Sequence, residues 1–411
     1  MSKMRTVYLS FCHPEVSPGG AQAVAKRLFD AHLRKHGPDS ALFIGASIKE
    51  GPRRAAGSNL LQVAQQEFLY ITESFDYLYF TNFDASGQSD LLRLIESFAP
   101  TTVHCHHFMG FGVDFLQALQ AKLQVRTVFT LHEHMVVCQN DGHLLQRNNQ
   151  RICRDIHAAR CATCLPQYRY DYFQHRLDHM AGLVGAFDVV TAVSKFTADV
   201  VSSAIKTKAP IVVIPNGPVD AVPAATSIDL RAGLNIAYIG QIHRTKGVHV
   251  LLEAMLMVAK RRPRQVDRMR VSVWGGILLE DYRQEIESLV QQLQDCGVFA
   301  RLAGMYDSSN LRQVLSDANV VVVPSLWPES YCITADEAVM HGKVLLCSDF
   351  PAARERFEEG GSVRFFAPGS AVQLATQFED LLGMQDVKVL SPFTYKYQSF
   401  DEIYDAYEEH Y

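Results

Sequence analysis

The sequence predicts an α/β protein made of two parallel-sheet domains, and three observations predict it. Short apolar runs alternate with longer amphipathic stretches along the whole chain, the rhythm of strand–helix–strand units. The apolar runs show no polar alternation, as befits central parallel strands covered on both faces. The rhythm also breaks near residue 220, in IVVIPNGPVDAVPAATS, and then restarts; the Pro, Gly, Ala and Ser content there reads as a linker.

In order, strands are expected at 6–11, 41–44, 101–104, 125–131 and 189–193, with helices at 20–36 and 90–97. The second series places strands at 236–239, 271–274, 300–303, 320–323 and 344–347, with helices between them. This divides the chain into a first domain at 1–219, a second at 220–390 and a closing segment at 391–411. Phe400, Ile403, Tyr404 and Tyr407 share one helical face of that segment, so it should dock rather than hang free. Ligands of open parallel sheets bind outside the carboxyl ends of the strands, so two such domains facing each other should enclose a cleft where the chemistry sits.

Composition narrows the function. The chain has 411 residues with 39 Lys plus Arg against 44 Asp plus Glu, a formal charge of −5, which excludes a nucleic-acid binder acting through bulk positive charge. At 48% hydrophobic and 20% charged residues it belongs with globular rather than disordered chains. No apolar run approaches the roughly 18 residues of a membrane span. The start, MSKMRTVYLSFCHPEV, is interrupted at Cys12, His13 and Pro14 and reads as a buried strand rather than a signal peptide. Nine cysteines without such a signal suggest a reducing, cytoplasmic setting. Six basic residues between 259 and 270 could touch anionic lipid, giving peripheral contact at the inner face of a membrane; a solvated helix end is the plainer reading.

Three motifs could carry chemistry. SPGGAQAVAKRLFDAHL puts Gly19 and Gly20 at a strand-to-helix turn, where a phosphate or sugar could approach backbone amides; a simple tight turn is the bland reading. YIGQIHRTKGVHVLLEA follows a strand ending at Gly240 with Arg244 and Lys246, cations placed to neutralise a diphosphate or merely to cap a helix. PSLWPESYCITADEAVMHG sets Glu329 in the loop after strand 320–323 and Glu337 eight positions on, at the expected start of a helix. Two such carboxylates can accept from sugar and ribose hydroxyls, while Ser330 and the amides of Cys332, Ile333 and Thr334 face a diphosphate. Carboxylates attracted to a helix N-terminus are the alternative.

With FTLHEH around His132, VTAVSKF, VIPNGPV, VWGG, RLAGMY and PESYCITADEAVMHGKVLLCSD, the ordered set resembles the retaining GT-B glycosyltransferases of family 4 type over nearly the whole chain. The resemblance implies a GT-B fold of two facing Rossmann-like domains with a C-terminal helix crossing back onto the first. It implies a UDP or GDP sugar held by the second domain and a glycan or lipid-linked acceptor by the first. Glu329 would then contact the transferred sugar, Glu337 the ribose, Lys246 the diphosphate and Gly20 the phosphate, with His132 beside the anomeric carbon. Anomeric configuration would be retained with no metal or other cofactor required for catalysis. Where the family usually has arginine after Gly240, this chain has Gln241, and Arg244 is the candidate substitute.

His106 and His107 follow a strand and are positioned to line the acceptor pocket. Cys138, Cys153, Cys161 and Cys164 fall within 27 residues in a polar insertion near 138–164, and the closing CATC could staple it around a structural zinc ion; buried reduced thiols are the alternative, evenly weighted. The reading is therefore a hexosyltransferase of polysaccharide or glycoconjugate assembly. Its rivals are a catalytically silent binding subunit of the same fold, which Gln241 favours, and a nucleotide-sugar epimerase, for which no further cleft carboxylates are evident.

Overall fold

The computed structural model describes residues 4–17, 19–48, 59–217, 227–277, 279–384, 389–394 and 398–411; the expected boundary at 219/220 lies outside them. Two compact units result, Met1–Asn216 with Phe400–Tyr411, and Gly217–Ser399.

In the first unit β1 (Thr6–Phe11) leads through α1 (Gly20–His36) to β2 (Ala41–Ile48). Strands β3 (Leu60–Ala64) and β4 (Glu67–Thr72) come next, then the small antiparallel pair β5 (Phe75–Asp76) and β6 (Thr81–Asn82). There follow α2 (Ala85–Phe98), β7 (Thr102–Cys105), α3 (Val113–Lys122) and β8 (Arg126–Leu131). The unit continues with α4 (Ala158–Cys164), α5 (Tyr170–Ala186), β9 (Val189–Ala192), α6 (Lys195–Ala204) and β10 (Val212–Val213). Its eight-stranded sheet runs β10-β9-β8-β7-β1-β2-β4-β3, parallel except for β3 against β4. That antiparallel pair is absent from the sequence reading, because strands as short and half-exposed as Leu60–Ala64 lack a continuous apolar run.

The second unit runs β11 (Ile228–Asp229), β12 (Leu234–Ile239), α7 (Val248–Arg261), β13 (Met269–Trp274), α8 (Glu280–Asp295) and β14 (Phe299–Gly304). Next come α9 (Leu311–Val314), β15 (Val320–Val323), α10 (Ile333–Met340), β16 (Val344–Ser348), α11 (Pro351–Arg354) and β17 (Val363–Phe366). Helix α12 (Ala371–Gly383) and β18 (Val389–Leu390), which pairs with β11, close it. The main sheet is parallel throughout, ordered β14-β13-β12-β15-β16-β17. This order reverses between β12 and β15, so the loops after these adjacent strands diverge to opposite faces and leave a crevice at their carboxyl ends. In the first unit the reversal lies between β1 and β7. Core residues lie on both faces of the second sheet, as its uninterrupted Val and Leu runs require.

Helix α13 (Phe400–Glu408) packs in the first unit, with Tyr404 and Tyr407 buried. The Tyr404 hydroxyl meets His32 Nδ1 at 2.9 Å, Lys35 bonds Asp405 at 2.7 Å and Glu408 at 2.6 Å, and the Tyr411 hydroxyl reaches His104 Nδ1 at 2.8 Å. Most of the basic stretch at 259–270 is structured: it spans the end of α7 and a 3-10 turn, Arg261 and Arg262 face Glu379 at 3.8 and 3.6 Å, and Arg270 lies over Phe299. Among the described residues no helix is long and apolar enough to cross a membrane.

Tyr404→Ala removes a buried aromatic side chain together with a hydrogen bond to a buried imidazole, and should destabilise the first unit by about 3–5 kcal/mol in urea unfolding. A change below about 1 kcal/mol would show that the closing helix does not hold the unit together.

Candidate functional site

The second unit brings Lys246 and Glu329 together at the reversal point of its sheet. After β12, Gly240 turns with φ 131° and the chain enters a short 3-10 turn, Arg244–Lys246, capped when the Thr245 amide donates to His243 Nδ1. Gly247 follows at φ 71°, and a Cβ there would stand 1.9 Å from the Pro324 carbonyl oxygen, so only glycine lets the two loops touch. The Leu326 amide donates to the Thr245 carbonyl at 2.7 Å, tying the loop after β15 to the loop after β12.

Lys246 Nζ donates to Glu329 Oε1 at 2.9 Å, the Ser325 hydroxyl donates to the same oxygen, and the ammonium lies 5.5 Å from the Trp327 ring centre. Glu329 is buried and Lys246 half-buried. Burial alone would raise the carboxyl's pKa, but the lysine charge and the hydroxyl outweigh it and hold Glu329 below the usual range. Burial likewise works against the ammonium, and Glu329 more than compensates, keeping Lys246 above the usual lysine value. Both groups are therefore ionised at neutral pH.

Behind this pair stands a second one. Arg356 donates to Asp336 at 2.7 Å with both side chains buried, donates to the Tyr331 carbonyl, and stacks 3.7 Å over the Tyr331 ring. It fixes the stretch between Glu329 and α10. Cys332 takes a left-handed conformation, φ 72°, and α10 starts directly after it. Ser330, Cys332, Ile333 and Thr334 thus form the turn into a helix N-terminus beside the Lys246–Glu329 pair, where amides can meet an anion. Glu337 does not begin this helix as expected; it is the fifth residue of α10, buried, with its charge acting on the Tyr306 hydroxyl.

Two other expectations need correction. Arg244 does not point with Lys246: it pairs with Glu285 on α8 and lies 4.9 Å from the Tyr282 ring centre. Gln241 is exposed, and its carbonyl accepts from the Tyr238 hydroxyl at 2.7 Å. Gly19, the cap of α1, has extended backbone (φ −168°) open to any residue; what crowds it is Gln22, 2.4 Å from an added Cβ, while Gly20 opens the helix.

In the first unit the loops after β7 and β8 carry the histidines. His106 Nδ1 and His132 Nε2 share a hydrogen bond at 2.8 Å, their rings stacked at 5.1 Å. His106 does not line an open pocket as expected, since it is 1% exposed and enclosed by Tyr8, His104 and His132. It supports His132. His107 sits 3.6 Å from Glu133, which burial pushes up to about 7. Burial holds His132 down at about 3 and His107 and His134 at about 4, so all three are neutral imidazoles at working pH. His134 meets Thr197 beside the Ser194 cap of α6, which explains the VTAVSKF motif as a helix start. Among the described residues no three His, Cys, Asp or Glu side chains stand ready to hold a metal ion.

Sequence reasoning missed Ser325, Trp327 and Arg356. Arg356 lies 20 positions from Asp336 on a different element, beyond any local pattern.

Family models fit this arrangement. One described as Glycosyltransferase Family 4 matches residues 18–220, and one for Glycosyl transferases group 1 matches 233–384. The chain belongs to the family 4 glycosyltransferases. No curated protein matches it at a significant level. Among solved structures, HepE of Anabaena in complex with UDP and glucose is similar at TM-score 0.66 and 14% identity, over 99% of this chain and 98% of that one. Sucrose-phosphate synthase of Thermosynechococcus elongatus is similar at 0.63 and 16%, over 99% and 96%. An E. coli trehalose-6-phosphate protein bound with UDP-2-fluoro glucose is similar at 0.63 and 13%, over 98% of both. These likenesses give this glycosyltransferase the GT-B fold, with two Rossmann-like domains.

Each neutral histidine stabilises the first unit above its unfolded pKa of about 6.5, because below that value the unfolded chain takes a proton the folded one refuses. Stability should fall as pH drops from 6.5 towards 4, by up to about 2 kcal/mol for each of His32, His107, His132 and His134 by pH 5. Glu133, raised to about 7, works in the opposite sense and offsets about one of them. Equal urea midpoints at pH 7 and pH 5 would contradict the buried, neutral assignment.

Proposed function

We propose that this glycosyltransferase moves a hexosyl group, with retention, from a UDP or GDP sugar to a hydroxyl of a glycan or lipid-linked acceptor. The observation that carries the reading is the ionised Lys246–Glu329 pair at the carboxyl ends of β12 and β15. The second unit would hold the donor and the first the acceptor. Lys246 has three N–H donors and Glu329 uses one, so the ammonium can also bond a diphosphate oxygen. Glu329 keeps a second oxygen for sugar hydroxyls, the amides at the start of α10 meet the diphosphate, and Glu337 takes the ribose. Gly20 offers an amide to the phosphate from the start of α1, and His107 borders the acceptor.

The acceptor oxygen would attack the anomeric carbon on the face the diphosphate leaves. The bond from that carbon to the phosphate oxygen breaks, its electron pair stays on the diphosphate, and a phosphate oxygen takes the acceptor's proton. No protein nucleophile is needed. Lys246 stabilises charge on the leaving group, and in the first unit His132, neutral and held by His106, offers an imidazole without adding charge. That HepE and the E. coli protein were obtained with UDP or a UDP sugar supports the donor class.

A silent binding subunit is the second reading, favoured by one observation: Arg244, the other cation of the lysine loop, is turned to Glu285. Nucleotide release from a panel of UDP and GDP sugars separates the two. Turnover is expected, falling about 10²–10³-fold in Lys246→Ala, the usual cost of losing one charge-stabilising donor. Glu329→Gln should fall as well, because Lys246 loses its counter-charge. Donor binding without nucleotide release from any sugar would favour the silent subunit, and unchanged turnover in both variants would remove the assigned roles.

A further inference from the structure

The first unit carries a thiol cluster that sugar transfer does not use. Cys138 lies in the loop after β8, and Cys153 is placed by a short fold-back in which its amide donates to the Leu144 carbonyl at 2.7 Å. Cys161 and Cys164 sit one turn apart on α4, so they share a face. All four line one cavity of about 20 Å³, walled by apolar residues such as Leu144 and Leu165. A space that size admits a single atom-sized guest. None of the four is in a disulfide.

Two features around the cavity call for negative charge. The Arg147 amide donates to Cys164 Sγ at 3.3 Å, a bond that strengthens when sulfur is a thiolate. Arg176 on α5 is 1% exposed, and its Nε has no partner among the described residues. One guanidinium nitrogen donates to the Met135 carbonyl, and the group lies 5.4 Å from the Phe80 ring centre. The groups that act most strongly on its charge are Tyr172, Cys138, Cys161 and Glu133. A buried cation is costly unless anions face it; Glu133 is one, and thiolates at Cys138 and Cys161 would add to it.

We propose that Cys138, Cys153, Cys161 and Cys164 bind one divalent zinc-class ion as a structural tetrathiolate site, with Arg176 as its buried counter-charge. Binding releases four thiol protons to solvent and leaves a net charge of about −2 beside the guanidinium. As placed, the side chains do not meet at one centre, so binding has to draw the four sulfurs in from around the cavity they share, to about 2.3 Å from the ion. Four sulfurs leave no open position, so the ion is not catalytic. It braces the excursion between β8 and α5, and through Arg176 and Met135 the loop that carries His132. This does not depend on which sugar is transferred.

Metal analysis of the full chain, purified untagged and without chelator from zinc-supplemented cells, should give about one zinc per chain, released as an organomercurial titrates the thiols. Cys296→Ser, in the other unit, should keep the metal, while Cys161→Ser and Cys164→Ser lose it. Because those variants could fail to fold, wild-type protein exchanged with cobalt(II) supplies an independent reading: tetrahedral thiolate ligation gives intense visible d–d absorption. Less than about a tenth of an equivalent of zinc together with no cobalt bands would overturn the site. So would a disulfide among the four in the freshly purified protein, or bound iron with sulfide.

Discussion

A carboxylate at the end of a parallel strand stays ionised in a nearly dry site only if a cation is brought to it, and here the neighbouring strand brings it. Glu329 follows β15 and Lys246 follows β12; the strands lie side by side, although the two residues are 83 positions apart in the chain. Their loops leave the sheet at the point where strand order reverses, so nothing in the sheet itself holds them together. The contact depends on Gly247, which alone tolerates the Pro324 carbonyl, and on the amide bond from Leu326 to Thr245. The lysine is therefore aimed by backbone, not by its flexible stem.

The second buried pair does a different job. Asp336 and Arg356 are buried against each other, and their contact costs desolvation that the Coulomb attraction roughly repays. What the pair contributes is position: Arg356 also grips the Tyr331 carbonyl and ring, next to the left-handed Cys332 from which α10 departs. A left-handed non-glycine residue costs about 1–3 kcal/mol and persists only where its surroundings impose it. The buried pair is one such surrounding, and it aims the helix N-terminus to which the proposed function assigns the diphosphate.

Local pattern made the framework legible. Strands at 6–11 and 320–323 and the helix at 20–36 coincide with those observed, because uninterrupted apolar runs and amphipathic periodicity are properties of neighbouring residues. The loops holding Lys246 and Glu329 were legible for the same reason, each marked by a strand end and a helix start. What escaped depends on contacts between distant positions. Arg244 carries the charge expected of a phosphate ligand, but Glu285, 41 positions away, takes it. His106 looks from sequence like its neighbour His107, and only the packing of β1, β7 and β8 shows that one is enclosed and the other borders Glu133. Asp336 suits a helix N-terminus in sequence, yet its partner is Arg356 rather than the helix dipole.

The closing residues of the chain bear on the histidines more than their position suggests. The Tyr411 hydroxyl meets His104 Nδ1, whose other nitrogen bonds Thr130 at 2.7 Å, and the His104 ring lies 4.0 Å from that of His106. His106 in turn bonds His132. A row of imidazoles at such spacing cannot carry several protons, since each charge would be desolvated and would repel the next; burial holds His104 and His106 well below the usual histidine range. Neutral imidazoles must choose tautomers: Tyr411 and Thr130 constrain the choice at His104, while His106 and His132 constrain each other. The phenol of Tyr411 supplies a fixed partner at one end of this row and His132 stands at the other. The closing residues thus do more than cover apolar surface: through Tyr411 they help decide which nitrogen of the neutral His104 carries the hydrogen.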